Sequence, residues 1–162
     1  MGRNRAGAAR GLWAERRVKR VLLDTGVILY ALGGRSTHAE PCRRVLELAG
    51  TGAFALEAPV SLVQEVLHHR MQRMGDRAQA GADALAVASV CILHVVEPSD
   101  ARAAVELFER WPELSARAAM LVAVAHRHGL EAILTVNGCF DDLPRLRRVD
   151  PSDEAAVAAL IE

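Results

Sequence analysis

The stretch V-L-L-D-T-G-V-I-L-Y-A-L, from Val21 to Leu32, decides how this chain folds. Three apolar residues, Val21–Leu23, end in an acid, Asp24, and an apolar helical pattern follows at once until Gly33-Gly34 stops it. A short buried strand running straight into a helix opens a β-α unit. Open α/β sheets bind their ligands in the crevice beyond the C-terminal strand ends. Asp24 stands at that end. An acid there can equally serve as the N-cap of the following helix, so the position alone leaves both roles open.

Working outward, the same alternation repeats. Thr37-His38-Ala39-Glu40 has the form of a capping box and opens a helix to about Leu48, with Pro41 in its first turn, where a missing N–H costs little. Gly50-Thr51-Gly52 breaks the chain, and Phe54–Ala58 reads as a second strand. Ser61-Leu62-Val63-Gln64 reads as another capping box. It opens a helix to Met74 with Leu62, Val63, Val66, Leu67 and Met71 on its apolar side, ended by Gly75. A helix over 77–89, a strand over Cys91–Val96 and a helix from a Ser99 cap to Arg110 follow. Ser115 caps an Ala-rich helix ended by Gly129. Ala132–Val136 is a fourth strand, a short fifth falls near Arg148–Val149, and Asp153–Ile161 is a terminal helix. Short strands alternating with helices predict an α/β fold with a central parallel sheet of four to five strands, joined by right-handed crossovers.

The 162 residues suffice for one domain with a real core. They are 51% hydrophobic but only 4% aromatic, which suits a helix-rich protein. The zero formal charge is unevenly spread. Residues 1–20 carry seven basic side chains against Glu15, and the remainder carries 13 basic and 19 acidic ones. We divide the chain into a basic tail, 1–18, without apolar period and expected to be disordered, and a single domain, 19–162. Val18 is an alternative valine-encoded start. A basic arm on an acidic body can touch nucleic acid or remain solvated. Cys42, Cys91 and Cys139 are odd in number and far apart, with no C-x-x-C pair, which fits a reducing cytoplasm. No apolar run is long enough to span a membrane, and no secretory leader is expected.

A second acid, Glu65, lies within the helix of S-L-V-Q-E-V. Taken alone it is a solvated helix residue. With Asp24 it starts an acidic site on a different element, so the two carboxylates are expected to converge in one groove. Hard cations such as Mg²⁺ and Mn²⁺ take oxygen ligands of this kind.

Four pieces in order, D-T-G-V-I-L-Y-A-L, S-L-V-Q-E-V, L-S-A-R-A-A-M-L-V-A-V-A-H-R-H-G and I-L-T-V-N-G-C-F-D-D, resemble the PIN domain, and within it the VapC-type toxins of bacterial toxin–antitoxin pairs. The resemblance covers about residues 19–150. It implies a three-layer α/β fold, an endoribonuclease dependent on Mg²⁺ or Mn²⁺, dimerisation, and inhibition by an antitoxin whose segment enters the active groove. It also implies four acidic positions. Asp24 matches the first and Glu65 the second. The third falls on Ala118 and the fourth on Asn137, with Cys139 where a further acid often lies. Two of the four charges are therefore missing. Asn137 still offers a neutral oxygen as a metal ligand, Ser115 a hydroxyl, and Asp141 and Asp142 lie close enough in sequence to compensate. Thr25 and Ser115 read as N-caps first and ligand-shell hydroxyls second. Arg117 reads as a contact to a substrate phosphate or an antitoxin carboxylate, or as a solvent-facing side chain. His68-His69 and His126-x-His128 sit at spacings that send the rings to different helix sides, which argues against zinc.

Two functions follow from this pattern. One is a metal-dependent ribonuclease toxin, attenuated at its site. The other is a degenerate, non-catalytic domain that binds antitoxin or RNA. The missing charges predict weak Mg²⁺ binding and slow cleavage. A Gly-rich phosphate loop, which a nucleotide-binding protein would need, does not follow the first strand.

Overall fold

The computed structural model describes residues 18–161. The tail drawn at 1–18 therefore lies outside the described residues except for Val18, whose side chain packs against the core. In chain order the elements are β1 (Arg20–Leu23), α1 (Thr25–Leu32), α2 (Ala39–Gly50), β2 (Ala55–Pro59), α3 (Ser61–Met74), α4 (Arg77–Val90) and β3 (Cys91–His94). They continue with α5 (Pro98–Arg110), α6 (Ala116–Arg127), β4 (Ala132–Leu134), a 3₁₀ turn (Gly138–Phe140), β5 (Arg147–Val149) and α7 (Glu154–Ala158).

All five strands are parallel, in the order β3-β2-β1-β4-β5. The chain steps outward from β1 through β2 to β3, then returns to the other side of β1 for β4. Right-handed crossovers force helices to opposite faces when the stepping direction reverses. The burial pattern obeys this. Val21, Leu23, Leu56 and Ala58 pack with α1–α4 and α7 in one layer. Leu22 and Ile133, which are paired across β1 and β4, pack with Ala104 of α5 and the Ala-rich face of α6 in the other. The expected three-layer α/β fold is the one observed. The reversal between β1 and β4 is a topological switch point, where the loops at the C-terminal ends part to leave a crevice.

Several boundaries differ from the sequence reading, each for a local reason. Val60 is already helical (φ −56°, ψ −27°), so Ser61 lies past the cap position and makes no capping bond. Thr37 likewise does not cap α2. His38 is its N-cap residue, and the Glu40 carboxylate pairs with Arg43 (3.0 Å). Helix α5 starts after Glu97 rather than at a Ser99 cap, with Pro98 as its first residue and Asp100 Oδ2 accepting from the Glu97 N–H (2.8 Å). Strand β3 stops at His94, because the edge strand leaves the sheet and the Val95 carbonyl accepts from Arg127 (2.5 Å). On α3, Leu67 is exposed, and Arg70 is buried instead, donating to Asp83 of α4 (2.5 Å). Gly75 closes α3 at φ +70°, a conformation glycine adopts without strain.

A second buried charge lies away from the switch point. Glu57, in the middle of β2, is 1% exposed. Arg20 donates to both its oxygens (2.5 and 3.0 Å), and His94 Nε2 lies 2.5 Å from Oε2. Burial alone would raise the Glu57 carboxyl, but the hydrogen bonds from Arg20 and His94 hold it below the usual carboxylate range. His94 in turn stacks on His128 (centroids 3.6 Å apart), whose Nε2 is buried without a partner.

That orphaned nitrogen makes protonation of His128 costly. Desolvation, then the nearby His94, Arg127 and Arg20, depress its pKa, and Glu57 only partly offsets them. The unfolded chain therefore takes up a proton that the folded chain refuses. This destabilisation is absent above about pH 6.5, the ordinary histidine value, and grows as the pH falls through it. In calorimetric Tm measurements between pH 7.5 and 5.5, His128→Phe should lose less stability on acidification than the unmodified chain. Parallel Tm curves would show that His128 does not set this dependence.

Candidate active site

The crevice at the switch point is built from strand ends and helix starts. Asp24 follows β1, and Thr135 follows β4. The register pairs Leu23 with Leu134, so the two residues emerge side by side. Both are buried, at 1% and 0% exposure. The Asp24 carboxylate does not cap α1, since it makes no capping bond. Its Oδ2 instead accepts from the Thr135 hydroxyl (2.7 Å), and that hydroxyl oxygen accepts from the Asn137 N–H (3.0 Å). The Asp24 side chain is therefore turned into the crevice rather than onto the helix N-terminus.

Glu65 reaches the same crevice from α3. It lies beside the buried stripe of Leu62 and Val66, which keeps it half-buried at the crevice wall. The Thr25 hydroxyl donates to Glu65 Oε2 (2.7 Å). Thr25 is the first residue of α1 rather than its cap, and its side chain orients a carboxylate.

Between the two acids sits Arg117. Its Nη1 donates to Asp24 Oδ1 (2.9 Å) and to Glu65 Oε2 (3.1 Å). Two oxygens bonded to one nitrogen lie within about 6 Å of each other, so the Asp24 and Glu65 side chains converge in one crevice. Arg117 comes from the first turn of α6, which Ser115 caps through its Oγ, the acceptor for the Ala118 N–H (3.1 Å). Burial alone would lower the guanidinium pKa, but Asp24 and then Glu65 raise it, so Arg117 stays charged.

The other expected participants lie elsewhere or are engaged. The Ala118 methyl is fully buried and brings no ligand. Asn137 Oδ1 accepts from the Cys139 N–H (3.0 Å), capping the 3₁₀ turn. The Cys139 thiol is pushed up, by burial and then by the negative charge of Asp24, and stays neutral. Asp141 is turned to Arg148, which also binds Asp150 (2.8 Å). Asp142 is exposed. Among the described residues, no set of three or more His, Cys, Asp or Glu side chains converges on a metal position. Thr135 was missed by sequence reasoning. The available signal was its place one residue after an apolar strand, the place Asp24 holds after β1.

A family model for the PIN domain matches residues 21–146. The chain belongs to the PIN domain family. Ribonuclease VapC7 of Mycobacterium tuberculosis is 30% identical over 143 residues, covering 87% of this chain and 97% of that protein. Ribonuclease VapC13 of the same organism is 26% identical, covering 80% and 98%. This PIN domain is therefore of the VapC type. Two solved structures share its fold at lower identity. VapC20 of Mycobacterium tuberculosis, described as a sarcin-ricin loop cleaving toxin, matches with TM-score 0.63 and 19% identity over 78% of this chain and 98% of its own. VapBC2 of Rickettsia felis, bound to a promoter DNA fragment, matches with TM-score 0.63 and 15% identity over 81% and 98%.

Removing the Thr135 hydroxyl leaves a buried carboxylate oxygen without its donor. Thr135→Val should cost at least about 1–3 kcal/mol in denaturant unfolding, the penalty for stranding a buried acceptor, which is larger for a charged one. An unchanged midpoint would mean that Asp24 Oδ2 has another partner.

Proposed function

We propose that this PIN domain is a VapC-type ribonuclease toxin with an attenuated metal site. The observation that carries the reading is the convergence of Asp24 and Glu65 in the switch-point crevice, each oriented by its own threonine. The donor set fits one Mg²⁺ or Mn²⁺ held by two carboxylates and otherwise by water, a mode Mg²⁺ commonly adopts. It does not fit a closed protein cage, because Ala118 has no ligand and the Asn137 oxygen is engaged. A dication bound there supplies an activated water and neutralises charge on the phosphate being cut. The chain's own residues do the positioning. The Thr135 hydroxyl fixes the Asp24 carboxylate, which the fold buries, and Thr25 fixes the half-buried Glu65.

The partner in this reading is an antitoxin protein. An apolar groove of about 230 Å³ between α1, α2 and α4, lined by Ile28, Leu32, Leu46, Val87 and Val90, supports a docked peptide segment. A two-fold homodimer is supported by Val105 and Phe108, three apart on α5 and at least half exposed. The second reading, a non-catalytic module binding antitoxin or RNA, is favoured by one observation. Arg117 already pairs with both carboxylates that remain and cancels one of their two charges. No helix of the described residues is long and apolar enough to cross a membrane.

RNA cleavage by the purified protein in Mg²⁺, Mn²⁺ or EDTA separates the two readings. Cleavage should be slow, stronger with Mn²⁺, which tolerates neutral ligands better, and absent in EDTA. Ala118→Asp with Asn137→Asp should raise cleavage above either single change, and Asp24→Ala should abolish the gain. A double variant that folds, binds metal and cuts no RNA would favour the binding module.

A further inference from the structure

Arg117 deserves a role of its own. A buried carboxylate is costly unless a partner compensates it, and two within about 6 Å repel each other as well. The compensation here comes from a single guanidinium nitrogen, Nη1, placed between Asp24 Oδ1 and Glu65 Oε2. A dication held by these two oxygens has to stand between them too, in the position that Nη1 fills. The two cations are mutually exclusive by volume and by charge. The Arg117 side chain is 38% exposed, against 2% for that of Asp24, so the guanidinium enters from the solvent side and has an open path of retreat. The anchoring bonds from Thr25 and Thr135 go to Glu65 Oε2 and Asp24 Oδ2 and do not depend on Arg117. Each carboxylate therefore keeps one anchoring bond when it leaves.

We infer that Arg117 is a built-in counter-cation of this site, and that a divalent ion binds the chain only by expelling it from between Asp24 and Glu65. The inference rests on the reading of these two carboxylates as a metal site. It gives that site a regulator inside the same chain. Arg117 offsets one of the two carboxylate charges, and loading begins only when the free ion concentration suffices to displace its charge-assisted hydrogen bonds.

Calorimetric titration of the purified full chain with Mn²⁺, alongside thermal unfolding in EDTA and in excess Mn²⁺, tests this without any RNA. Arg117→Gln should bind Mn²⁺ about ten- to hundredfold more tightly than the unmodified chain, the equivalent of one charged hydrogen-bonded pair. Its Tm should fall in EDTA and recover in Mn²⁺, whereas the unmodified chain should show little metal-induced shift. Adding Asp24→Asn to Arg117→Gln should remove the gained affinity. Equal Mn²⁺ affinity with and without Arg117 overturns the inference while leaving the site in place, provided Asp24→Asn still removes binding. If Asp24→Asn has no effect on binding, the metal lies elsewhere, and both the inference and the site reading fail. Should Arg117→Gln not fold in either buffer, Arg117→Lys, which keeps the charge but loses the planar reach, takes its place. It should bind Mn²⁺ more tightly than the unmodified chain, and no gain overturns the inference.

Discussion

Two carboxylates on one guanidinium hold the functional end of this molecule together. Asp24 belongs to the end of β1, Glu65 to α3 and Arg117 to α6, and the two threonines add α1 and the end of β4. Helices from opposite faces of the sheet are thus tied at one point. Charges taken out of water destabilise unless they meet good partners, and breaking such a set strands whatever remains. The chain cannot give up Arg117 while keeping both acids at no cost. It exchanges the bond for another cation or loses stability.

The sheet order explains why this point exists. Reversal of the strand order between β1 and β4 opens the crevice, and the Leu23–Leu134 register sets Asp24 beside Thr135 at its floor. The small side chains of α6, Ala118, Ala119, Ala123 and Ala125, pack with Leu22 and Ile133 and let that helix lie close to the sheet, so its first turn reaches the crevice. Ala118 is buried in this packing and brings no charge to the crevice. Away from the crevice, Glu57 with Arg20 and His94, and Asp100 with Arg127, form separate ion pairs that anchor β2 and α5.

Much of the fold was legible because it depends on local periodicity. Apolar runs of three to five residues, separated by helical stripes and glycine stops, gave the order of strands and helices and the parallel sheet. Helix starts were less legible. A Ser-x-x-Gln pattern does not reveal that the residue before it, Val60, is already helical. Glu57 left no trace, since a lone acid in an apolar strand has its partners 37 residues away on either side. In the site, Asp24 and Glu65 were legible through strand-end logic and a resemblance. Arg117 was legible only as a set of alternatives, none of which was an internal clamp, because its partner Asp24 is 93 residues distant.

The most direct measurement is a pair of crystal structures of the unmodified chain, one grown in EDTA and one soaked in Mn²⁺, with anomalous scattering locating the ion. Without metal, Arg117 Nη1 should lie within hydrogen-bond distance of both Asp24 and Glu65. With metal, a single anomalous peak should stand between the two carboxylates, with the guanidinium turned out to solvent. An ion bound by Asp24 and Glu65 while Arg117 keeps both bonds, or an Arg117 already turned away in EDTA, would contradict the competition on which this description of the site rests.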